Sequence, residues 1–225
     1  ASARKPVILV LIDYYLPGYK AGGPLRTLEN MVQRLSCEYE FLIITRDRDL
    51  GDEKAFAGIK LGQWVIEGFA KVFYIPKDEW GVGMINALLK NTEYDILYLN
   101  SYFSLWTTVL PLVFHRLKQI PDVPVVLAPR GEFSEGAVKL KRLKKLLFLF
   151  VSRLIGLYRN VIWQASSVDE LADITRPNRY PNGLVLVAPD LIPSVPIGMQ
   201  SNHLDSRETG HVRLIFISRI SPKKN

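Results

Sequence analysis

One cysteine, Cys37, occurs in 225 residues, so no internal disulfide can form; the three histidines, His115, His203 and His211, are too scattered for a Cys/His metal cluster. No uninterrupted apolar run is longer than six residues, far short of the roughly 18 to 20 that a spanning helix needs. No N-terminal stretch joins a basic start to a long apolar core and a small-residue cleavage site. These absences predict a cytosolic chain without a membrane span, and leave peripheral attachment at the inner face of a membrane open. Composition excludes disorder and collagen, because 48% of the residues are hydrophobic and 23% charged, enough apolar material for one sizeable core. The formal charge is 29 − 22 = +7. The excess is local: Lys139, Lys141, Arg142, Lys144, Lys145, Arg153 and Arg159 fall in one stretch that holds no acid, which suggests an anionic partner at one face.

The opening run Val7–Ile12 is continuous, apolar and rich in β-branched residues, as in a strand buried on both faces of a parallel sheet. A loop rich in Gly, Pro and Tyr follows from Asp13 to Pro24, and from Leu25 to Leu35 the apolar residues recur at helical spacing. This is a first βα unit. Further short apolar runs occur at Phe41–Thr45, Val72–Ile75, Ile96–Leu99, Val125–Ala128, Val161–Ala165 and Leu184–Ala188, with room for crossover helices at Gly83–Leu89, Trp106–Leu117, Lys139–Tyr158 and Val168–Thr175. Six or seven strands alternating with helices predict an α/β fold, a Rossmann-like, mostly parallel sheet covered by helices on both faces. Ser167 and Glu170 have the spacing of a capping box for the last of these helices. From Val138 to Tyr158 apolar and basic residues alternate as in an amphipathic helix, its apolar side expected on the sheet and its basic side outward.

Five prolines between Pro177 and Pro196, then a polar stretch to His211, read as a linker. Val212–Ser218 is a second strand of the buried type, followed only by Arg219 to Asn225. The expected organisation is a domain over residues 1–193, a linker over 194–211, and the first strand and loop of a second domain over 212–225. An extra edge strand on the first sheet is the alternative for Val212–Ser218.

Several positions carry candidate chemistry. Gly22 and Gly23, between the first strand and first helix, are where backbone N–H groups can meet an anion, although a tight turn explains them equally. Neither the P-loop ending nor the G-x-G-x-x-G spacing is present. Arg130 and Glu132 follow the fifth parallel-type strand at the edge where open α/β sheets bind ligands, with a mutual surface pair as the plain alternative. Arg219 and Lys224 stand just beyond a strand, within reach of one phosphate, or are simply a charged tail. His115 reads as a packing residue, and no metal site or Ser-His-Asp set can be assembled.

Together these residues resemble the N-terminal half of a GT-B glycosyltransferase of the large retaining group, family four. The segment from Val212 to Asn225 looks like the opening of that family's donor-binding domain, and the loop from Asp13 to Pro24 resembles its first-domain glycine loop. The resemblance implies that Arg219 and Lys224 hold the diphosphate of a nucleotide sugar, and that Gly22 and Gly23 face donor phosphates and acceptor. It further implies a transferase without bound cofactor or obligatory metal, stabilising the leaving diphosphate electrostatically. The acceptor would be a sugar or lipid-linked hydroxyl of cell-envelope polysaccharide or glycolipid synthesis. Two departures stand out. Many members carry a histidine after the fifth strand, where this chain has Arg130; the family's acidic Glu-x7-Glu element belongs to the second domain and has no counterpart before Asn225. Residues 1–225 alone are therefore expected to be inactive. Lys139, Lys141, Arg142, Lys144 and Lys145 are candidates for facing an anionic membrane, or for a merely solvated helix face. The rival readings are an NAD(P)-dependent oxidoreductase, with Asp47 in the ribose-binding place, and a non-enzymatic basic module. The basic segment lacks the aromatic platform of a nucleic-acid binder, so no nucleic acid is expected as partner. The sequence does not speak to oligomeric state.

Overall fold

The computed structural model describes residues 4–134, 136–137, 142–176 and 183–193, the side chain of Arg142 excepted. The linker 194–211, the segment 212–225 with Arg219 and Lys224, and the basic residues Lys139 and Lys141 lie outside the described residues. The elements run β1 (Val7–Leu11), α1 (Gly23–Leu35), β2 (Glu40–Arg46), β3 (Trp64–Glu67), β4 (Ala70–Ile75), α2 (Val82–Asn91), β5 (Ile96–Asn100), α3 (Leu110–Arg116), β6 (Val125–Ala128), α4 (Arg142–Leu154), β7 (Ile162–Ala165), α5 (Val168–Thr175) and β8 (Val185–Val187). The described strands form one eight-stranded sheet in the order β3-β4-β2-β1-β5-β6-β7-β8. Every pairing is parallel except β3 with β4.

Strand β1 lies at the centre between β2 and β5, and all five of its residues are buried, as its unbroken apolar run requires. Its side chains alternate between two cores. Leu9 and Leu11 join the face covered by α2 to α5, while Ile8 and Val10 join the face covered by Leu28 and Val32 of α1. The seven expected parallel strands are all present. The eighth, β3, escapes a search for apolar runs because it is a short edge strand whose Ile66 faces solvent; it returns into β4 through Gly68, whose positive φ of 58° makes the reversal.

The helix expected from Gly83 begins one residue earlier, with Gly81 as the N-cap residue of α2. Two local expectations need correction. Ser167 caps α5 by accepting from the Glu170 N–H at 3.1 Å, but the Glu170 carboxylate reaches Ser166 and Gly131 instead of closing the box. The apolar side of α4 does not simply pack on the sheet: Leu149 and Ser152 are buried, whereas Leu143, Leu147, Phe150 and Leu154 face solvent. A helix with apolar residues nearly all round has more of them than one contact face can cover.

Behind the site loops lies an aromatic cluster. Tyr102 stacks on Tyr158 at 4.2 Å between centroids and packs against Phe133, Phe148 and Trp163. The buried hydroxyls find partners: Tyr158 donates to the Tyr102 carbonyl at 2.7 Å, and Tyr102 pairs with Ser152 at 3.0 Å. Trp163 is fully buried at the centre of this group. Trp163→Ala should therefore lower unfolding free energy by about 3 to 5 kcal/mol, read as a shift in the urea midpoint; a loss below about 1 kcal/mol would mean that the cluster is not packed as described.

Candidate functional site

The chain leaves β1 towards β2 on one side and reaches β5 on the other, so the carboxyl ends of β1 and β5 form the topological switch point at which open α/β sheets bind ligands. Residues from five strands converge along this edge. Asp13, two residues beyond β1, accepts from the Arg46 guanidinium at 3.2 Å and from Ser104 Oγ at 2.9 Å. Arg46, the last residue of β2, lies 4.2 Å from the Trp80 ring, and Trp80 meets Trp106 edge-on at 6.5 Å. An acid, a cation and two indoles thus share one half-exposed corner. None of Asp13, Arg46, Trp80 or Trp106 was singled out from the sequence. The available signal was positional, since each closely follows or ends a strand at the carboxyl edge.

The glycine loop is held by the loop that follows β2. Asp49, in the loop after β2, accepts the N–H groups of Tyr19, Lys20 and Leu50 at 2.7, 3.0 and 2.7 Å. Burial pushes the Asp49 carboxyl up, but these three donors and the nearby Lys20 outweigh it and leave its pKa below the usual value. Gly18 fits only as glycine, because a Cβ there would lie 2.8 Å from the Tyr15 carbonyl oxygen. Gly22 caps α1 at φ 78°, and its carbonyl accepts from Arg26 N–H. Gly23 is different: a Cβ there would meet nothing within 4 Å. The space beside Gly23, at the N-terminus of a 13-residue helix, is open to a ligand.

Arg130 and Glu132 do not pair with each other, which overturns the surface-pair alternative. The Arg130 side chain is only 7% exposed and spends its donors within the protein. It reaches Asn100 Oδ1 at 3.2 and 3.3 Å, the Tyr98 hydroxyl at 3.0 Å, and Asp190. Asp190 in turn accepts from Thr27 of α1 at 3.3 Å, and the following residues Leu191 and Ile192 are held by Asn30 and Arg34. The segment after β8 is therefore tied directly to α1, and through Arg130 to the end of β5. Glu132 holds the loop after β5, accepting from Ser101 Oγ at 2.7 Å and from the N–H groups of Tyr102 and Phe103. Glu170, also buried, accepts from Gly131 N–H at 2.5 Å and Ser166 N–H at 2.8 Å. These carboxylates fix a strained edge, for Ser101 and Arg130 adopt positive φ of 76° and 56°.

The remaining expected residues are scattered. Asp47 is buried, bound to Arg48 at 2.7 Å and to Lys77 N–H at 3.2 Å, so its carboxylate is already engaged. His115 sits on α3 with Nε2 3.4 Å from Asp122. Lys144 is exposed, whereas Lys145, expected to face outward, turns in to the Ala137 carbonyl at 2.7 Å and lies over the Phe103 ring at 4.7 Å. Its stem lines the aromatic cluster, which explains the inward turn. Among the described residues no group of three or more His, Cys, Asp and Glu could hold a metal ion, and no helix is long and apolar enough to cross a membrane.

Sucrose-phosphate synthase from Thermosynechococcus elongatus superposes on this chain with a TM-score of 0.52 at 16% sequence identity, over 83% of this chain and 48% of that one. The likeness is one of fold: a mostly parallel α/β sheet that matches the Rossmann-like half of a GT-B glycosyltransferase fold, and the chain spans about half the length of that structure. No family model matches the sequence, and no curated protein does.

The half-buried Glu132 generates a prediction. Burial raises its pKa above the ordinary 4.5, against the opposing donors Ser101, Tyr102 and Phe103 and the charge of Lys145. A carboxyl with a raised folded-state pKa contributes stability that is complete below its unfolded pKa and is lost as pH rises through the folded value. The unfolding free energy of the wild-type protein relative to Glu132→Gln should therefore fall as pH climbs from 4.5, in urea titrations across that range. A difference that stays flat or rises would mean that the hydrogen bonds dominate over burial.

Proposed function

We propose that this chain is the acceptor-side half of a glycosyltransferase that moves a sugar from a nucleotide-diphosphate sugar to a hydroxyl acceptor with retention at the anomeric carbon. The observation that carries the reading is the reversal of strand order between β1 and β5. At that carboxyl edge the chain carries the open helix N-terminus at Gly23 and, separately, an acid, a cation and an indole, on a fold like that of a glycosyltransferase.

In this reading the sugar's bond to the diphosphate breaks, a bond to the acceptor oxygen forms on the same face of the ring, and the acceptor's hydroxyl proton passes to the departing diphosphate oxygen. The leaving diphosphate gains negative charge, which Arg219, Lys224 and the N–H groups at the start of α1 stabilise. Gly22 and Gly23 let the ligand approach the main chain. The acceptor occupies the corner where the Trp80 face offers an apolar platform to a sugar ring and Asp13 accepts from a hydroxyl. Arg130 acts as a positioning residue: through Asn100 and Asp190 it sets the edge against which the acceptor rests. Glu132 supports that edge from behind. Neither cofactor nor metal has a part in this scheme.

Two sets of variants, assayed in an enzyme that includes the donor-binding domain, test it. Arg219→Ala and Lys224→Ala should each reduce transfer by at least about tenfold, because a charge-assisted contact contributes on the order of 1.5 to 3 kcal/mol. Unchanged rates in both would remove the donor assignment. Gly23→Ala should lower transfer while leaving the melting temperature within about 2 °C of wild type; Gly18→Ala, with its Cβ against the Tyr15 carbonyl, should lower the melting temperature as well. Parallel loss of stability and rate in Gly23→Ala would reduce that glycine to a turn residue. Binding of a nicotinamide dinucleotide in calorimetric titration would favour the oxidoreductase reading instead.

A further inference from the structure

Helix α4 buries one side only. Phe148, Leu149 and Ser152 turn towards the aromatic cluster, with Lys145 above Phe103. On the opposite side Leu143, Leu147, Phe150 and Leu154 are 83%, 64%, 66% and 75% exposed. With 3.6 residues per turn these four side chains fall within an arc of about 60° and form one continuous stripe. A soluble surface rarely leaves such a stripe uncovered.

The charges around the stripe say what covers it. On the same helical geometry Lys144 and Arg153 lie on opposite margins of the stripe, and both are exposed. The stretch from Lys139 to Arg159 contains no acidic residue. A second copy of the chain docking stripe to stripe would set like charges against each other. An anionic bilayer instead accepts both features, with apolar side chains entering the acyl boundary and cations resting among the headgroups.

We propose that α4 is an interfacial helix that lies flat in an anionic lipid surface, with Leu143, Leu147, Phe150 and Leu154 embedded and Lys144 and Arg153 at headgroup level. Lys145 takes no part, since it is turned inward. Basic residues alone would give attraction that salt abolishes. An embedded stripe adds an apolar contribution that salt does not remove, and this distinguishes insertion from surface adsorption.

The test is cosedimentation of the protein with phosphatidylglycerol-rich and with pure phosphatidylcholine vesicles, at low and high salt, with the melting temperature of each variant recorded. Binding should favour the anionic vesicles, weaken in Lys144→Gln/Arg153→Gln, and drop by at least about tenfold in Leu147→Ser/Phe150→Ser, whose melting temperature should match wild type because both side chains are exposed. Phe150→Trp should retain binding and shift its emission to the blue on anionic vesicles. Failure to bind at low salt, or binding indifferent to Leu147→Ser/Phe150→Ser, overturns the proposal. It is also overturned if that double variant melts lower, since another part of the protein then covers the stripe, or if sedimentation velocity shows a dimer that the variant abolishes. None of these readouts depends on glycosyl transfer, so the outcome is independent of the proposed activity.

Discussion

Two carboxylates, the half-buried Glu132 and the buried Glu170, govern the shape of the strand-end edge. Parallel strands end in loops whose N–H groups lose their sheet partners, and below the surface each such group needs an acceptor. Glu132 supplies one for the turn at Tyr102 and Phe103, and Glu170 supplies one for Gly131 and Ser166. Because Glu132 belongs to the loop after β6 yet holds the loop after β5, and Glu170 from α5 holds the loop after β6, the two acids chain three successive strand ends together. Positive φ at Ser101 and Arg130 is tolerated only inside such a bracket.

The same economy explains why Arg130 is a poor candidate for gripping a ligand directly and a good one for shaping the edge. Its guanidinium is shared among Asn100, Tyr98 and Asp190, so that the ends of β5 and β6 and the segment beyond β8 are joined through a single side chain. Releasing it to bind a phosphate would leave Asn100 and Asp190 short of a donor. The pair of Asp13 and Arg46, by contrast, remains half exposed at the carboxyl edge, and a Cβ at Gly23 would meet nothing within 4 Å.

Helix α4 has two unlike sides. Its inner side closes the aromatic cluster under the β5 and β6 loops, and its outer side keeps a stripe of leucine and phenylalanine with cations on both margins. A face that is costly in water is useful at a lipid boundary, where the apolar residues and the cations each find a favourable phase.

Seven parallel strands and the helices between them were legible in the chain because doubly covered strands must be unbroken apolar runs, as in Val7–Ile12, and because helices show their own period, as in Leu25 to Leu35. The strand at Trp64–Glu67 was not legible, since an edge strand needs only one buried side and leaves no long run. Of the candidate site, the glycine loop and the Arg130 and Glu132 loop could be located from their place after apolar runs. Their partners could not. Asp49 is 30 residues from Tyr19, Asp190 is 60 from Arg130, and Asp13 is 91 from Ser104. Local spacing says where a chain turns, but which carboxylate meets which donor is decided by strand order, and strand order arises only when the sheet assembles.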